Sequence, residues 1–536
     1  MNRVDVAILG GGLAGLTLAL QLRAKLPGMS IAVLEREAHP VPTAAHKVGE
    51  STVEIGAHYL DTVLGLDAHL REKQLRKFGF RFFFSDGRPD VDAVTELGAS
   101  RYLHTPGYQV DRGILENFLG DEARARGIAF ETGAIVRDVE LAPAGTHTVR
   151  YEREGLEHTL HAEWVIDASG RAGLLRRKLN LKVDNGHHVN AAWFRLSSRI
   201  DIDDWSSDAT WHARCEARER WLSTNHLVGP GYWVWLIPLS SGSHSIGIVA
   251  DEAFHPLRTY NSFERSLEWL RQHQPRLADA IAPARAGLQD FVALKHVSYG
   301  CKRVFSAQRW ALTGEAGLFL DPFYSPGTDF IAISNTYVTE LIARERSGKS
   351  IEMHAALFEQ IYFSFYESTL ALYRGQYAMF GDACVMPVKV IWDYAYYWGI
   401  LCQFFFQQRL TDLSSLSKLK HELAAVQAIN LEVQALLRAW SAAQRPVNDR
   451  RLLDQAALPW FAELNRSLGD PLDDIAFVER LQRNSELLCE LAREIRDRAR
   501  AAVADLDVSA LEAALALAPA SPGTTATEPL LFRPAA

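Results

Sequence analysis

Apolar runs that halt on glycine return three times along the chain, and they set its plan. Val4 to Leu9 is apolar apart from Asp5 and stops at Gly10, Gly12 and Gly15. Helix-like Leu16 to Arg23 follows, then a second run, Ser30 to Leu34, that ends on Glu35. This order predicts strand, glycine loop, helix and strand. The same passage from apolar run to glycine recurs at Trp164 to Gly170 and at Trp310 to Gly314. Three returns predict one nucleotide-binding domain assembled from discontinuous pieces.

Between those returns the spacing changes. Thr52 to Leu70 reads as a helix, residues 78–84 as a strand closed by the turn signal Ser85-Asp86-Gly87, and Tyr108 to Leu119 as a strand end feeding a helix. Short strands are expected at 133–141, 148–152 and 159–162. Runs at 191–200, 232–239 and 244–250, interrupted by helical 262–273, predict an antiparallel sheet on the substrate side. A helix is expected over 331–346. From Ser350 onward the period is helical, most plainly in 419–440 and 477–506. The expected organisation is a Rossmann-like α/β domain from 1–187 and 301–346, a sheet layer over 188–300 and a helical C-terminal region over 347–518. The Pro-, Thr- and Ala-rich end, 519–536, is expected to be a disordered tail.

The stretch 361–406 is unusually aromatic. Val390 to Phe406 falls short of the roughly 20 apolar residues that a membrane span needs, and it contains Asp393 and Gln403. A buried helix is the expectation, with a lipophilic substrate channel or a peripheral membrane-resting face as the alternative.

Composition narrows the function classes. The 536 residues exceed one core and predict two or three domains. A net charge of -8 argues against a protein that lives on nucleic acid or anionic lipid, which needs a basic face. The five cysteines are odd in number and widely spaced, with no C-x-x-C pair, which suits a reducing compartment and offers no metal framework. No secretion leader precedes the first strand, so a cytoplasmic protein is expected. The adjacent His187 and His188 lack further ligands at suitable spacing and read as a polar loop.

The first loop carries recognisable chemistry. Gly10 allows a tight turn, Gly12 lets a pyrophosphate approach the backbone, and Gly15 lets helix and strand pack closely. Glu35, 20 residues past Gly15, is placed to bond an adenosine ribose. Asp111 and Arg112, at a strand–helix junction, are positioned to reach a ligand.

Together with that loop, Gly49-Glu50-Ser51, Asp167 to Gly170, Gly231 to Pro238 and Asp321 to Gly327 resemble the flavin-dependent halogenases, within the FAD-dependent monooxygenase superfamily. The resemblance spans about residues 1–345, and its most specific element is W-x-W-x-I-P at Trp233, Trp235, Ile237 and Pro238. It implies a glutathione-reductase/p-hydroxybenzoate-hydroxylase type of FAD domain, with FAD supplied in reduced form by a separate flavin reductase. It further implies that oxygen and halide yield hypohalous acid, which travels to a lysine beside the substrate. Lys77 matches the lysine of phenol-type members, and Glu50 is implied near the halogenation path. Trp233 and Trp235 are implied to keep substrate away from the flavin. Cofactor contacts are implied for Ser51, Arg112, Asp167, Gly314, Asp321 and Gly327, beside Gly10, Gly12, Gly15 and Glu35.

Two departures refine the expectation. Tyr324 stands where tryptophan-specific members carry a glutamate, so members acting on phenols or carrier-tethered rings are the better match. In the loop Tyr324-Ser325-Pro326-Gly327, Pro326 follows the serine and lacks the N–H that the family directs at halide, which predicts weaker halide binding. The leading expectation is a halogenase of secondary metabolism acting on a large hydrophobic aromatic or carrier-bound substrate. Alternatives are a flavin hydroxylase without a halide site, a prenyl-reductase-like flavoenzyme and a non-catalytic FAD-binding component of a biosynthetic complex.

Overall fold

The computed structural model describes residues 2–43, 49–215, 217–444, 448, 450–518 and 529–533. They form two compact units. The first comprises Met1–Leu75, Val110–Gly186 and Val297–Tyr366; the second comprises Arg76–Gln109, His187–His296 and Glu367–Ala536.

In the first unit the sheet runs in the order Phe305–Ser306, Trp310–Leu312, Leu156–Asp167, Arg3–Leu9, Ile31–Glu35, Ala129–Thr132. Its four central pairings are parallel, and the strands' apolar residues are buried on both faces, as helix-covered parallel strands require. Leu9 pairs with Leu34 and Asp167, and Asp167 with Leu312, so the three glycine loops leave the sheet at one edge. Ligands of open α/β sheets bind at such carboxyl ends. The separate strands expected at 159–162 and 164–167 are one strand, Leu156–Asp167, which also pairs with His147–Arg153 in an antiparallel side ribbon. The helix expected over 52–70 is broken into Glu54–His58, a π-helical turn at Tyr59–Val63 and Asp67–Lys73. The last helix starts earlier than expected, as Gly327–Arg346, and Asn335 ties it to the first by donating to Thr17 Oγ1 at 3.1 Å.

The second unit is built on a sheet in the order Leu288–Leu294, Val189–Leu196, His244–Asp251, Tyr232–Pro238, Thr224–Gly229, Phe80–Phe83, Glu96–Gly98, Leu452–Asp454. It is mixed rather than purely antiparallel, because Phe80–Phe83 joins Thr224–Gly229 in parallel. One face buries Tyr232, Val234, Leu236, Ile246 and Ile248 against a core that includes Phe263, Leu267 and Leu277 from the helices Phe263–His273 and Pro275–Ile281. Such side chains contribute about 1.5–3 kcal/mol each on burial. Alternation along the strands sends Phe80, Phe82, His226, Trp233 and Trp235 to the opposite face.

The unit boundaries follow tertiary pairing rather than sequence character. Residues 76–109, read from sequence as part of the nucleotide domain, supply two strands to the second sheet. The C-terminal region contributes a strand as well as helices. Of the tail expected to be disordered, 519–528 and 534–536 lie outside the described residues, but Leu530 and Leu531 are buried, and their N–H groups donate to Glu494 at 2.7 and 3.1 Å.

Many of the large side chains of the aromatic stretch are packed inside the protein. Tyr362, Tyr366, Tyr373, Tyr377, Trp392, Tyr394, Trp398, Phe404 and Phe405 are all buried. Among the described residues no helix is long and apolar enough to cross a membrane. Asp393 is accommodated by pairing: it accepts from Lys389 Nζ at 2.6 Å and from Gln434 Nε2 at 2.8 Å.

Candidate functional site

In the first unit the glycine loop is constrained at each position. Gly10 has φ +116°, and a Cβ there would lie 2.4 Å from the Ala168 carbonyl oxygen; a Cβ on Gly15 would lie 2.0 Å from the Gly10 oxygen. Gly12 is different. The nearest atom to its Cβ position is Glu116 Oε1 at 3.9 Å, leaving an open approach to the backbone. Gly12 also caps the helix Leu13–Lys25 without a side-chain bond, and no acid occupies the first turn. The N–H groups at that terminus therefore suit a pyrophosphate. Glu35 accepts from Gly11 N–H at 2.6 Å, which fixes its carboxylate beside the loop.

Around this loop the structure gathers other expected residues. Arg112 begins the helix Arg112–Ala125 and pairs with Glu116 at 2.5 Å. Asp111, one residue earlier, is buried with neither carboxylate oxygen hydrogen-bonded. Buried carboxylates call for donors, and the hydroxyls of FAD would supply them, so this set fits the cofactor. Glu50 and Ser51 are buried, and the Glu50 carbonyl accepts from Val110 N–H at 2.7 Å. The Asp167 carboxylate is bonded within its own segment. It accepts from Ser169 N and Oγ at 3.0 and 2.5 Å and from Leu175 N at 2.7 Å, so it shapes the loop behind the site. Burial raises its pKa, against the pull of these bonds. Gly314, at φ +59°, packs against Ala14 and Ile331.

The loop before Gly327–Arg346 is unusual. Asp321 is fully buried and accepts from Phe323 N–H at 2.9 Å. Tyr324 and Ser325 both adopt positive φ, 65° and 53°. Two consecutive left-handed non-glycine residues cost of order 1–3 kcal/mol each. Pro326 is the N-cap and offers no side-chain cap, so the first helical turn begins with the N–H groups of Gly327 and Thr328. A Cβ on Gly327 would meet nothing within 4 Å.

In the second unit Lys77 is buried, 5% exposed, with its ammonium 3.5 Å from the centroid of the Phe80 ring. Its N–H donates to Gly107 O at 2.9 Å, and Gly79, at φ +68°, turns the chain into the strand. An ion network lies behind: Arg81 pairs with Glu96, which also accepts from Arg220 at 2.9 Å, and Arg220 reaches Asp203 at 2.8 Å. Burial favours the neutral Glu96 carboxyl, but Arg81 and Arg220 outweigh it and hold its pKa below the ordinary value. Ser223 Oγ donates to the Phe78 carbonyl at 2.9 Å, anchoring the residue after Lys77.

Trp233 and Trp235 lie beside each other, ring centroids 5.6 Å apart. Trp233 Nε1–H donates to Tyr377 Oη at 2.9 Å, and Trp235 Nε1–H to Ser245 Oγ at 3.2 Å. Gly247 makes room for the second indole, since a Cβ there would lie 2.1 Å from it. Sequence reading offered the aromatic stretch 361–406, which holds Tyr377 and Tyr394, as a candidate substrate wall, but it missed His226 as part of this surface. Tyr394 reaches Phe80 at 6.0 Å between centroids, and His226 stacks on Phe82 at 4.5 Å. The one available signal was the alternation Thr224, His226, Val228 just ahead of the W-x-W strand. Among the described residues no cluster of three or more His, Cys, Asp or Glu could hold a metal. His188 stacks on His296, while His187 lies against Tyr377.

Comparison with known proteins agrees with this arrangement. A family model described as an FAD binding domain matches residues 3–258. The chain is 27% identical over 434 residues to flavin-dependent halogenase chlA of Dictyostelium discoideum, covering 75% of this chain and 70% of the relative. It is 26% identical over 368 residues to a 1H-pyrrole-2-carbonyl peptidyl-carrier-protein chlorinase of Pseudomonas fluorescens, covering 65% and 76%. Among solved structures, halogenase PltM in complex with phloroglucinol and FAD shares the fold at TM-score 0.65 and 17% identity, covering 92% of this chain and 96% of that one.

Proposed function

We propose that this chain, which belongs to the flavin-dependent halogenase family of FAD-dependent oxidoreductases, halogenates an electron-rich aromatic ring, either a phenol or a ring tethered to a carrier protein. The observation that carries this reading is Lys77: a buried ammonium held on an aromatic face shared with the W-x-W pair. A surface lysine would be solvated. Tyr324 in place of an acid favours substrates activated by their own hydroxyl or ring nitrogen over free tryptophan. Relatives named for a carrier-bound pyrrole and a structure holding phloroglucinol support the same class.

The residues divide the work. The Gly10–Gly15 loop, Glu35, Asp111 and Arg112 hold the dinucleotide. Bound reduced FAD supplies the electrons that activate oxygen so that halide is oxidised. The N–H groups of Gly327 and Thr328, at the positive end of a 20-residue helix, provide donors for the halide anion. Lys77 hydrogen-bonds the oxygen of hypohalous acid, drawing electrons from the O–X bond and directing halogen to the ring. Trp233 and Trp235, pinned by their N–H bonds, keep that face rigid and apolar, so little water competes for the oxidant. Glu50 is assigned to the path of the halogenating species.

We further assign a separate flavin reductase as the source of reduced FAD, and the cytoplasm as the compartment, where five free cysteines stay reduced. The test is product analysis. With a reductase, NADH, oxygen and bromide or chloride, a panel of phenols and carrier-loaded rings should yield mono-halogenated product. Oxygenated product that forms equally without halide would instead mark a hydroxylase.

A further inference from the structure

Two acid-free stretches of the chain meet beside the first sheet. Residues 170–183 hold Arg171, Arg176, Arg177, Lys178 and Lys182, and residues 299–313 hold Lys302, Arg303 and Arg309, with neither Asp nor Glu in either. They join as an antiparallel pair, Lys182 opposite Cys301. Lys302 ties the join further: its N–H donates to Leu181 O at 2.8 Å and its Nζ to Asn180 O at 3.1 Å.

The strand register decides which edge of the sheet receives these charges. Leu312 is level with Asp167, and Asp167 with Leu9. Leu312 N–H donates to Val304 O at 2.8 Å, and Phe305–Ser306 runs antiparallel to Trp310–Leu312. Lys302 and Arg303 therefore lie past the strand ends where the three glycine loops leave, while Arg309 belongs to the opposite edge. The path from Lys182 to the dinucleotide helix is short. Its Nζ stands 5.6 Å from the centroid of the Tyr299 ring, and Tyr299 Oη donates to Glu315 O at 2.7 Å. A Cβ on the preceding Gly314 would lie 3.1 Å from Ala14 Cβ.

Three of the cations are engaged locally. Arg176 is buried and donates to the carbonyls of Glu315 and Gly317, Arg171 pairs with Glu315 at 2.8 Å, and Lys178 pairs with Asp138 at 2.7 Å. Arg177, Lys182, Lys302 and Arg303 are exposed, Arg303 coming within 4.0 Å of Glu359. The cofactor loop has the opposite surroundings. Glu35 accepts from Gly11 N–H, the atom nearest a Cβ on Gly12 is Glu116 Oε1, and Glu116 also balances Arg112. A dianionic pyrophosphate approaching a chain of net charge -8 thus meets acids at the loop and cations beside it.

We propose that Arg177, Lys182, Lys302 and Arg303 form a steering surface that draws free reduced FAD, an anion, toward the glycine loop; this rests on the reading above that a separate reductase supplies it. A cofactor loaded once and kept gains nothing from fast capture. One that arrives reduced for each turnover must be caught before oxygen in solution consumes it. Clustered charge of one sign raises encounter rates by about 10–10³-fold, and salt removes the effect as the screening length shrinks. These four residues act on association and leave the bound complex unchanged.

The experiment mixes the FAD-free full chain with oxidised FAD, and under nitrogen with reduced FAD, following protein fluorescence in a stopped-flow instrument. The variant carries Arg177→Gln, Lys182→Gln, Lys302→Gln and Arg303→Gln together. At about 0.01 M ionic strength, where the screening length is about 30 Å, its association rate constant should be about tenfold below wild type. At about 1 M the two should coincide, because screening acts within about 3 Å. The dissociation rate and the thermal midpoint of the FAD-loaded protein should match wild type at both. Equal association at low salt, a deficit that salt does not remove, or faster dissociation overturns the proposal. A wild type that captures FAD in this salt-dependent way yet halogenates no substrate removes the functional reading and leaves the steering surface in place.

Discussion

The indole N–H of Trp233 donates to the hydroxyl of Tyr377, 144 residues later in the chain, at 2.9 Å with both side chains buried. The bond joins the family's signature strand to the helical C-terminal region. Tyr377→Phe leaves a buried indole donor without an acceptor and should destabilise the protein by about 1–3 kcal/mol in denaturant unfolding. Halogenated product per reduced flavin should fall as the indole loosens. Unchanged stability and coupling would show that the bond carries neither role.

Lys77 belongs to a different compact unit from the glycine loop. Lys77→Ala should therefore retain FAD, measured by flavin fluorescence, while halogenation drops by about 10²-fold or more. Parallel loss of FAD binding would mean that the lysine holds structure instead of directing halogen.

Two glycines should respond oppositely to alanine. Gly15→Ala places a methyl 2.0 Å from the Gly10 oxygen and should abolish FAD binding. Gly327→Ala meets no neighbour within 4 Å and should fold normally. Its methyl intrudes beside the helix N–H groups, so the bromide concentration for half-maximal rate should rise about tenfold, the equivalent of one charge-assisted hydrogen bond. An unchanged bromide dependence would move the halide away from this helix end.

Acid should unfold the protein early. Burial, joined by Lys77 at His226 and by Arg199 at His244, holds both imidazoles down to about 3, against about 6.5 in an unfolded chain. The unfolded state therefore binds protons that the folded state refuses. The stability contribution is full above about pH 6.5 and drains as pH falls toward about 3, at about 1.4 kcal/mol per pH unit for each histidine. Denaturant midpoints from pH 7 to 4 should show this slope, and His226→Asn with His244→Gln should flatten it. Equal slopes would contradict the assignment.

The legible parts of the sequence were local. Strand, glycine loop, helix and Glu35 follow one another within 35 residues, so spacing alone located the dinucleotide loop. The second sheet is non-local: Phe80–Phe83, Thr224–Gly229 and Leu452–Asp454 are brought together only by folding. His226 stayed hidden for that reason, since it sits in no motif, and the pairing of Tyr377 with Trp233 could not be read from the aromatic stretch that contains it. Lys77 was visible as a residue type in place, but its burial depends on packing by distant aromatic side chains. That Pro326 is the N-cap of the helix Gly327–Arg346 was not legible either, because the apolar period placed the helix start at 331.

The most direct test mixes the pre-reduced, FAD-loaded protein with oxygen, with and without bromide, and follows flavin reoxidation together with bromination of a halogen-trapping dye. The account predicts faster reoxidation with bromide and dye bromination in proportion to flavin oxidised. Reoxidation indifferent to bromide, with no brominated dye, would contradict it.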